Sequence, residues 1–326
     1  MSIDYNFFYK EDLPVKEDWD FEVELFISAY NKSERVKTVY DKVNAKQKHW
    51  LVLPDYKFEP EDWEYLNKNN TFDSTCDSEA HFIGQYISKN NEIDFEKTDI
   101  CIDATGFIKP YLMTLIYYLI VIKKRDNVKV IFSEPQEYDK KHLTTFSDGD
   151  ELVTRAVNGF SGVGHNEQGD DLLVIGAGYD DELIRRAVEE NNSAKQKLQI
   201  FGFPSLRADM YQQNILRASK ASSVIDRKIN FNNEYNHYAP ANDPFATAQL
   251  LHELYSAKGK DIKNWYLYPL ATKAQMLGFV LFYLNECQGK PVSIMYPFSE
   301  THSVETSRGT ARIWLYTLEF PYQDCS

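Results

Sequence analysis

The chain has only four cysteines, Cys76, Cys101, Cys287 and Cys325, spread over 326 residues. No two have metal-ligand spacing, and so few thiols exclude a disulfide framework. Reduced thiols are expected. Basic residues are also in short supply. The 36 Lys plus Arg against 49 Asp plus Glu leave a formal charge of −13. That excludes general nucleic-acid binding, which needs a basic face, but leaves room for a local basic pocket around a phosphorylated small molecule. Long apolar runs are missing too. The longest, Tyr111 to Ile122, is too short to span a bilayer. The opening "MSIDYNFFYKEDLPVKEDWD" is acidic and has no apolar signal core. A cytoplasmic protein away from the membrane is expected.

Familiar catalytic signatures are absent. The sequence has no P-loop, no H-E-x-x-H and no G-x-S-x-G. "GAGYDDE", from Gly176, approaches the dinucleotide fingerprint, but Asp181 stands where its third glycine belongs. A tight turn before a helix with an acidic start explains it better. The seven histidines show no ligand spacing. No cofactor is expected.

Short apolar runs alternating with helical patterns fill the chain. "FEVELFISA", "WLVLPDY", "ICIDATG" and "VKVIFSEP" read as strands. "SERVKTVYDKV", with Ser33 as a cap, and "SEAHFIGQYISKN" read as helices. The order then recurs. "DLLVIGAG", "KLQIFGF", "NWYLYPL" and "PVSIMYPF" are strands, with helices between them, and "ARIWLYTLEF" is a final strand. The expected fold is α/β: two Rossmann-like halves with mostly parallel sheets, related by internal duplication, with a β-hairpin inserted between them. The halves are placed at 1–137 and 171–326. The hairpin and loop connection, with its turn around Asp148 and Gly149, is placed at 138–170.

Ligands in open parallel sheets bind outside the carboxyl ends of the strands. In the first half that rule selects Ser28, Asn31, Ser33 and Arg35, then Asp103, Thr105, Gly106 and Lys109, then Ser133 and Glu134. In the second it selects Gly176, Gly178, Tyr179 and Asp180, then Ser205 and Arg207, then Thr272, Lys273 and Gln275, then Ser299, Glu300 and His302. Thr105 and Thr272 suit either helix capping or a phosphate oxygen. Lys109 and Lys273 suit either phosphate or solvent. "ETSRGTAR", with Ser307, Arg308 and Arg312, suits either closure over an anion or a polar lead-in to a strand.

The paired turns "DATGFIKP" and "LATKAQ" resemble the threonine–lysine turn of CARF-type (CRISPR-associated Rossmann fold) domains. Two such halves in one chain resemble SAVED-type sensors. The resemblance implies a cyclic oligonucleotide held by the strand-end turns of both halves, with Thr105, Gly106, Lys109, Thr272 and Lys273 at the matching positions. It also implies a role in bacterial defence and a separate partner protein.

The functional expectation is a sensor that binds a nucleotide-derived or other phosphorylated ligand between its two halves and signals to a protein partner. Its ligand residues are Ser28, Asn31, Arg35, Thr105, Gly106, Lys109, Gly176, Gly178, Tyr179, Thr272, Lys273 and Gln275. The alternative is a nucleotide- or phosphoester-processing enzyme. There Asp103, Glu134 and Asp180 would do acid–base work or hold Mg²⁺. A third reading is a structural subunit with a vestigial crevice.

Overall fold

The computed structural model describes residues 3–64, 66–138, 152–164, 170–178, 180–207, 210, 212, 215, 216, 235–259, 262–299, 302 and 307–321. The chain divides into two units. One comprises the described residues of Phe8–Asp148 and Glu300–Ser326, the other those of Met1–Phe7 and Gly149–Ser299.

The first unit holds strands β1 (Lys10–Leu13), β2 (Glu22–Ala29), β3 (Asn44–Val52), β4 (Thr71–Asp73), β5 (Ile100–Asp103), β6 (Asn127–Tyr138) and β13 (Ser307–Glu319). Their order is β1-β13-β6-β5-β2-β3-β4. Strands β2 to β6 run parallel, and β13 lies antiparallel to β6. The second unit holds β7 (Leu152–Ala156), β8 (Leu172–Ala177), β9 (Gln196–Gly202), β10 (Asn236–Ala239), β11 (Trp265–Pro269) and β12 (Val292–Ser299). Their order is β10-β9-β8-β11-β12-β7. Here β7 is the antiparallel member, on β12.

The two sheets therefore repeat one plan. Each has a central strand (β2 or β8), two strands on one side ending in a short edge strand, two further parallel strands on the other, and an antiparallel strand beyond; β1, outside β13, has no counterpart among the described residues of the second sheet. Ile102 pairs with Ile27 and Val130, and Leu267 pairs with Val174 and Ile294. These two residues occupy the same place in the repeat. The helices repeat as well: α1 (Glu34–Lys42), α2 (Glu79–Lys89) and α3 (Lys109–Tyr117), then α4 (Asp181–Glu190), α5 (Pro244–Lys258) and α6 (Lys273–Phe282). Both α3 and α6 run on into five-residue π-helical segments, Tyr118–Ile122 and Tyr283–Cys287.

The division of the chain differs from the sequence expectation at both ends: the described residues of Met1–Phe7, expected in the first half, belong to the second unit, and the antiparallel strands are exchanged. β7 follows β6 in sequence but belongs to the second sheet. β13 follows β12 but belongs to the first. Each half thus takes its antiparallel strand from the chain that follows the other half. The last strand is consequently part of the first unit rather than of a half running 171–326. The physical reason is burial: Ile313, Leu315, Tyr316 and Leu318 are all buried in β13. Two of them, Ile313 and Leu315, join the core under β6. The first arm of the expected hairpin lies outside the described residues, and its second arm is β7, paired with β12. The helix expected after Ser205 also falls mostly outside them.

Local chemistry explains the helix boundaries. Ser78 accepts a hydrogen bond from His81 N and starts α2. Asp243 accepts from Phe245 N and Ala246 N, with Pro244 in the first turn, and starts α5. The second strand begins earlier than expected. β3 starts at Asn44, because the polar run Asn44–Lys48 lies along β2 in parallel register.

The face of the first sheet beneath α1 is apolar. Phe26, Cys101 and Ile131, on three neighbouring strands, share one buried cluster with Val39 of α1 and Val43 at its C-cap. Each fully buried side chain of this kind contributes roughly 1.5–3 kcal/mol. Successive residues of a strand point to opposite faces, so residues two apart share one. Two residues beyond each of these three, on the same face, stand Ser28, Asp103 and Ser133. The apolar core gives way there to a staggered polar row at the carboxyl ends of β2, β5 and β6, with Ser28 level with Asp103 and Ser133 two residues beyond Asp103's partner Ile131.

Candidate functional site

The row is a connected network. Ser28 Oγ donates to Asp103 Oδ2 at 3.0 Å, and Thr105 N donates to Asp103 Oδ1 at 2.8 Å. Ser133 N donates to Thr105 Oγ1 at 3.2 Å. Arg35, in the first turn of α1, donates to Ser133 O at 2.5 Å and to Ser307 Oγ at 2.6 Å. Asp103 and Ser28 are wholly buried. A carboxylate so placed persists only with hydrogen-bond donors around it, and Ser28 and the Thr105 amide serve as two.

The turns around the row are fixed by short contacts. Asn31 Oδ1 accepts from Ser33 N at 2.9 Å. Tyr56, just after β3, donates its hydroxyl to Gly106 O at 2.9 Å. Burial pushes the Tyr56 phenol up, against the lowering effect of its hydrogen bond with Asn31. Nearby, Tyr111 donates to Asp55 Oδ1 at 3.0 Å; burial first and Asp55 second push that phenol up as well. Gly106 has no room for a side chain: a Cβ there would lie 2.1 Å from Ala29 O and 3.3 Å from Val36 Cγ2. The loop after β5 is thereby pressed against the end of β2 and the first turn of α1.

Of the residues expected in the first half, Ser28, Asn31, Arg35, Thr105 and Gly106 are brought together with Asp103 and Ser133. Thr105 does not cap a helix; it accepts from Ser133 N. Lys109 is the first residue of α3, whose N-cap is Ile108 with Pro110 behind it. Glu134 is buried on β6 and accepts from Trp314 Nε1 at 2.5 Å. Two participants were not foreseen. Tyr56 sits in a strand-end turn that the same rule could have picked out. Trp314 carries no such signal, because its role depends on β13 joining β6.

In the second unit the expected residues have other work. Asp180 is the N-cap of α4 and accepts from Leu183 N at 3.3 Å. Thr272 is the N-cap of α6, accepting from Gln275 N at 3.1 Å and donating to Ala241 O at 2.5 Å. Lys273 opens that helix. Gln275 is buried and donates to Ala239 O at 3.3 Å. A Cβ on Gly178 would lie 2.1 Å from Leu270 O, and one on Gly176 would meet the Phe279 ring at 3.2 Å. These two glycines make room for backbone and core. Tyr179 lies outside the described residues.

The polar row itself has no copy here. Ile175 pairs with Tyr268 as Ser28 pairs with Asp103. The register of Leu267 with Ile294 puts Pro297 where Ser133 stands. The Tyr268 hydroxyl accepts from Asn191 Nδ2 at 2.7 Å. The first residues of α4 are Asp181 and Glu182, where α1 has Glu34 and Arg35. Repeated architecture thus carries unlike chemistry in its two copies.

No protein-family model and no curated protein matches this sequence. Among the described residues, no helix is long and apolar enough to cross a membrane. Nor do they bring three or more His, Cys, Asp or Glu side chains together as a metal site. Cys76, Cys101 and Cys287 are free thiols, and burial pushes the Cys101 thiol up.

Proposed function

We propose that the protein is a ligand-binding sensor. It takes a nucleotide-derived or other phosphorylated small molecule at the carboxyl ends of β2, β5 and β6 and passes its occupancy to a partner protein. The single observation that supports this reading is the polar row Ser28–Asp103–Ser133. It stands on three adjacent strands at the edge of an apolar core, with Arg35 and Thr105 tied to it. Buried polar groups cost stability unless they are hydrogen-bonded, and the equivalent positions of the other unit, Ile175, Tyr268 and Pro297, do without this network. The reading assigns one such site to the chain, in the first unit. A cyclic oligonucleotide ligand and a role in bacterial defence belong to the same proposal, on the CARF and SAVED resemblance alone.

Thermal unfolding with a panel of nucleoside phosphates, linear dinucleotides and cyclic oligonucleotides tests it. A ligand at 100 times its Kd adds about 2.7 kcal/mol of stability, which a melting curve detects. Arg35→Met with Thr105→Val should abolish the shift. If no member of the panel stabilises the protein, and mass spectrometry finds no small molecule released from it, the reading is wrong.

A further inference from the structure

We propose that the N-terminus of α1 is an oxyanion subsite, in which the hydroxyls of Ser33 and Ser133 and the first N–H groups of the helix hold a phosphoryl group. The proposal rests on the ligand-binding reading above and states where its anionic end would lie.

The helix has nine residues and opens at Ser33, whose backbone is extended. Serine at this position ordinarily turns its hydroxyl back onto an N–H of the first turn. Ser33 makes no such bond. Its Oγ is shielded from solvent and has no hydrogen-bond partner among the described residues. The helix end keeps its positive dipole, with the Val36 N–H turned to Ser33 O and the Ser33 hydroxyl left for an anion.

The second observation is independent. Ser133 is wholly buried, and its Oγ too has no partner among the described residues. Its backbone is pinned on both sides, by Thr105 Oγ1 on the N–H and by Arg35 on the carbonyl. Its direction follows from the alternation along β6. Ile131 shares one buried cluster with Val39 in the later part of α1 and Val43 at its C-cap. Ser133, two residues further toward the strand's carboxyl end, has the same facing, and Arg35 of the helix's first turn reaches its carbonyl. A buried hydroxyl without a partner is costly, and a ligand oxygen would remove the cost. Arg35 adds a guanidinium suited to phosphate. Two acidic residues oppose the anion: Asp103, whose oxygens already accept from Ser28 and Thr105, and the exposed Glu34 in the first turn of α1.

The test is titration calorimetry with inorganic phosphate, ribose 5-phosphate and AMP on the full chain and on Ser33→Ala, Ser133→Ala and the double variant. Each single change should weaken binding of all three probes about tenfold, the worth of one charge-assisted hydrogen bond. The ligand-free variants should melt at or above the temperature of the parent, since neither hydroxyl is bonded in the unliganded fold. Wild-type affinity in the double variant would overturn the subsite. So would no binding of any probe at millimolar concentration, or a marked loss of ligand-free stability in Ser133→Ala. The two readings separate cleanly. A nucleotide that binds the double variant undiminished sinks the subsite and leaves the ligand-binding function standing. Phosphate binding that is lost in the variants, with no nucleotide binding anywhere, keeps the subsite and sinks the nucleotide assignment.

Discussion

Arg35 donates a hydrogen bond to Ser307 Oγ at 2.6 Å, across a sequence separation of 272 residues. The same guanidinium holds Ser133 O on the neighbouring strand. One side chain in the first turn of α1 thus joins the last parallel strand of its sheet to a strand delivered from the far end of the chain. Beyond Ser307 the β13–β6 ladder shifts register between Thr310 and Arg312, and Gly309 takes a φ of +62°. The end of β13 that meets Arg35 is therefore offset from the long ladder that follows.

Removing Glu300–Ser326 should unfold the first unit. Ile313, Leu315, Tyr316 and Leu318 leave with it, at roughly 1.5–3 kcal/mol each. That sum is comparable to the whole stability of a domain, about 5–15 kcal/mol. A synthetic peptide of residues 300–326 added in trans should restore protection of the β6 amides in hydrogen exchange. Protection that persists in the truncated chain without peptide would refute the strand assignment.

Asp103→Ala should destabilise the protein by about 2–4 kcal/mol, because it strands the Ser28 hydroxyl and the Thr105 amide in a buried place. Asp103→Asn retains an acceptor and should cost less than half of that. Urea titrations of the two variants would check the order, and equal losses would mean that the carboxylate matters for its charge rather than as an acceptor.

Gly106→Ala and Gly178→Ala should each cost about 3 kcal/mol, as overpacking against rigid backbone does. Each added methyl would fall 2.1 Å from a carbonyl oxygen, of Ala29 and of Leu270 respectively. Gly106 serves the junction of β5 with the end of β2, and Gly178 that of β8 with the end of β11. Gly84, with nothing near its would-be Cβ, is the internal control and should tolerate alanine in a melting experiment.

Acid should weaken the fold through His49. Its Nδ1 lies 2.8 Å from the Tyr86 hydroxyl, and burial pulls its imidazole below the usual value, with Glu92 opposing weakly. The unfolded chain therefore takes up the proton first. The stability tied to neutral His49 is fully present above the ordinary histidine pKa of about 6.5 and is lost as pH falls from there toward the lowered folded value. His237 is shifted the same way, by burial and then by Lys258, and adds to the slope. His49→Gln should flatten the fall in stability between neutral and mildly acid pH. An unchanged pH profile in that variant would remove His49 from the account.

Much of this molecule was decided by local pattern. Alternating and continuous apolar runs specify strands, and Ser78, Asp243 with Pro244, and Thr272 specify helix starts, because these signals need only a few neighbouring residues. The repeat of strand, turn and helix in the two halves is legible for the same reason. The rule that ligands sit at strand carboxyl ends also singled out Ser28, Ser33, Arg35, Asp103, Thr105 and Ser133. What it left undecided was the function of each residue in its turn. Asp103 and Asp180 are both acidic residues at strand ends, yet one anchors a buried network and the other caps a helix. Thr105 and Thr272 sit in similar turns, yet only Thr272 caps. Those outcomes depend on which strands lie side by side and on their register. Register is a matter of which faces can be buried, and it sets Ser28 beside Asp103, with Ser133 on the same face two residues beyond Asp103's partner Ile131, while the corresponding positions of the other sheet hold Ile175, Tyr268 and Pro297. The exchange of β7 and β13 lay furthest from the sequence. Residues far apart in the chain must pair before the buried faces of Ile313 and Leu315 find their core, and no local pattern records that partner.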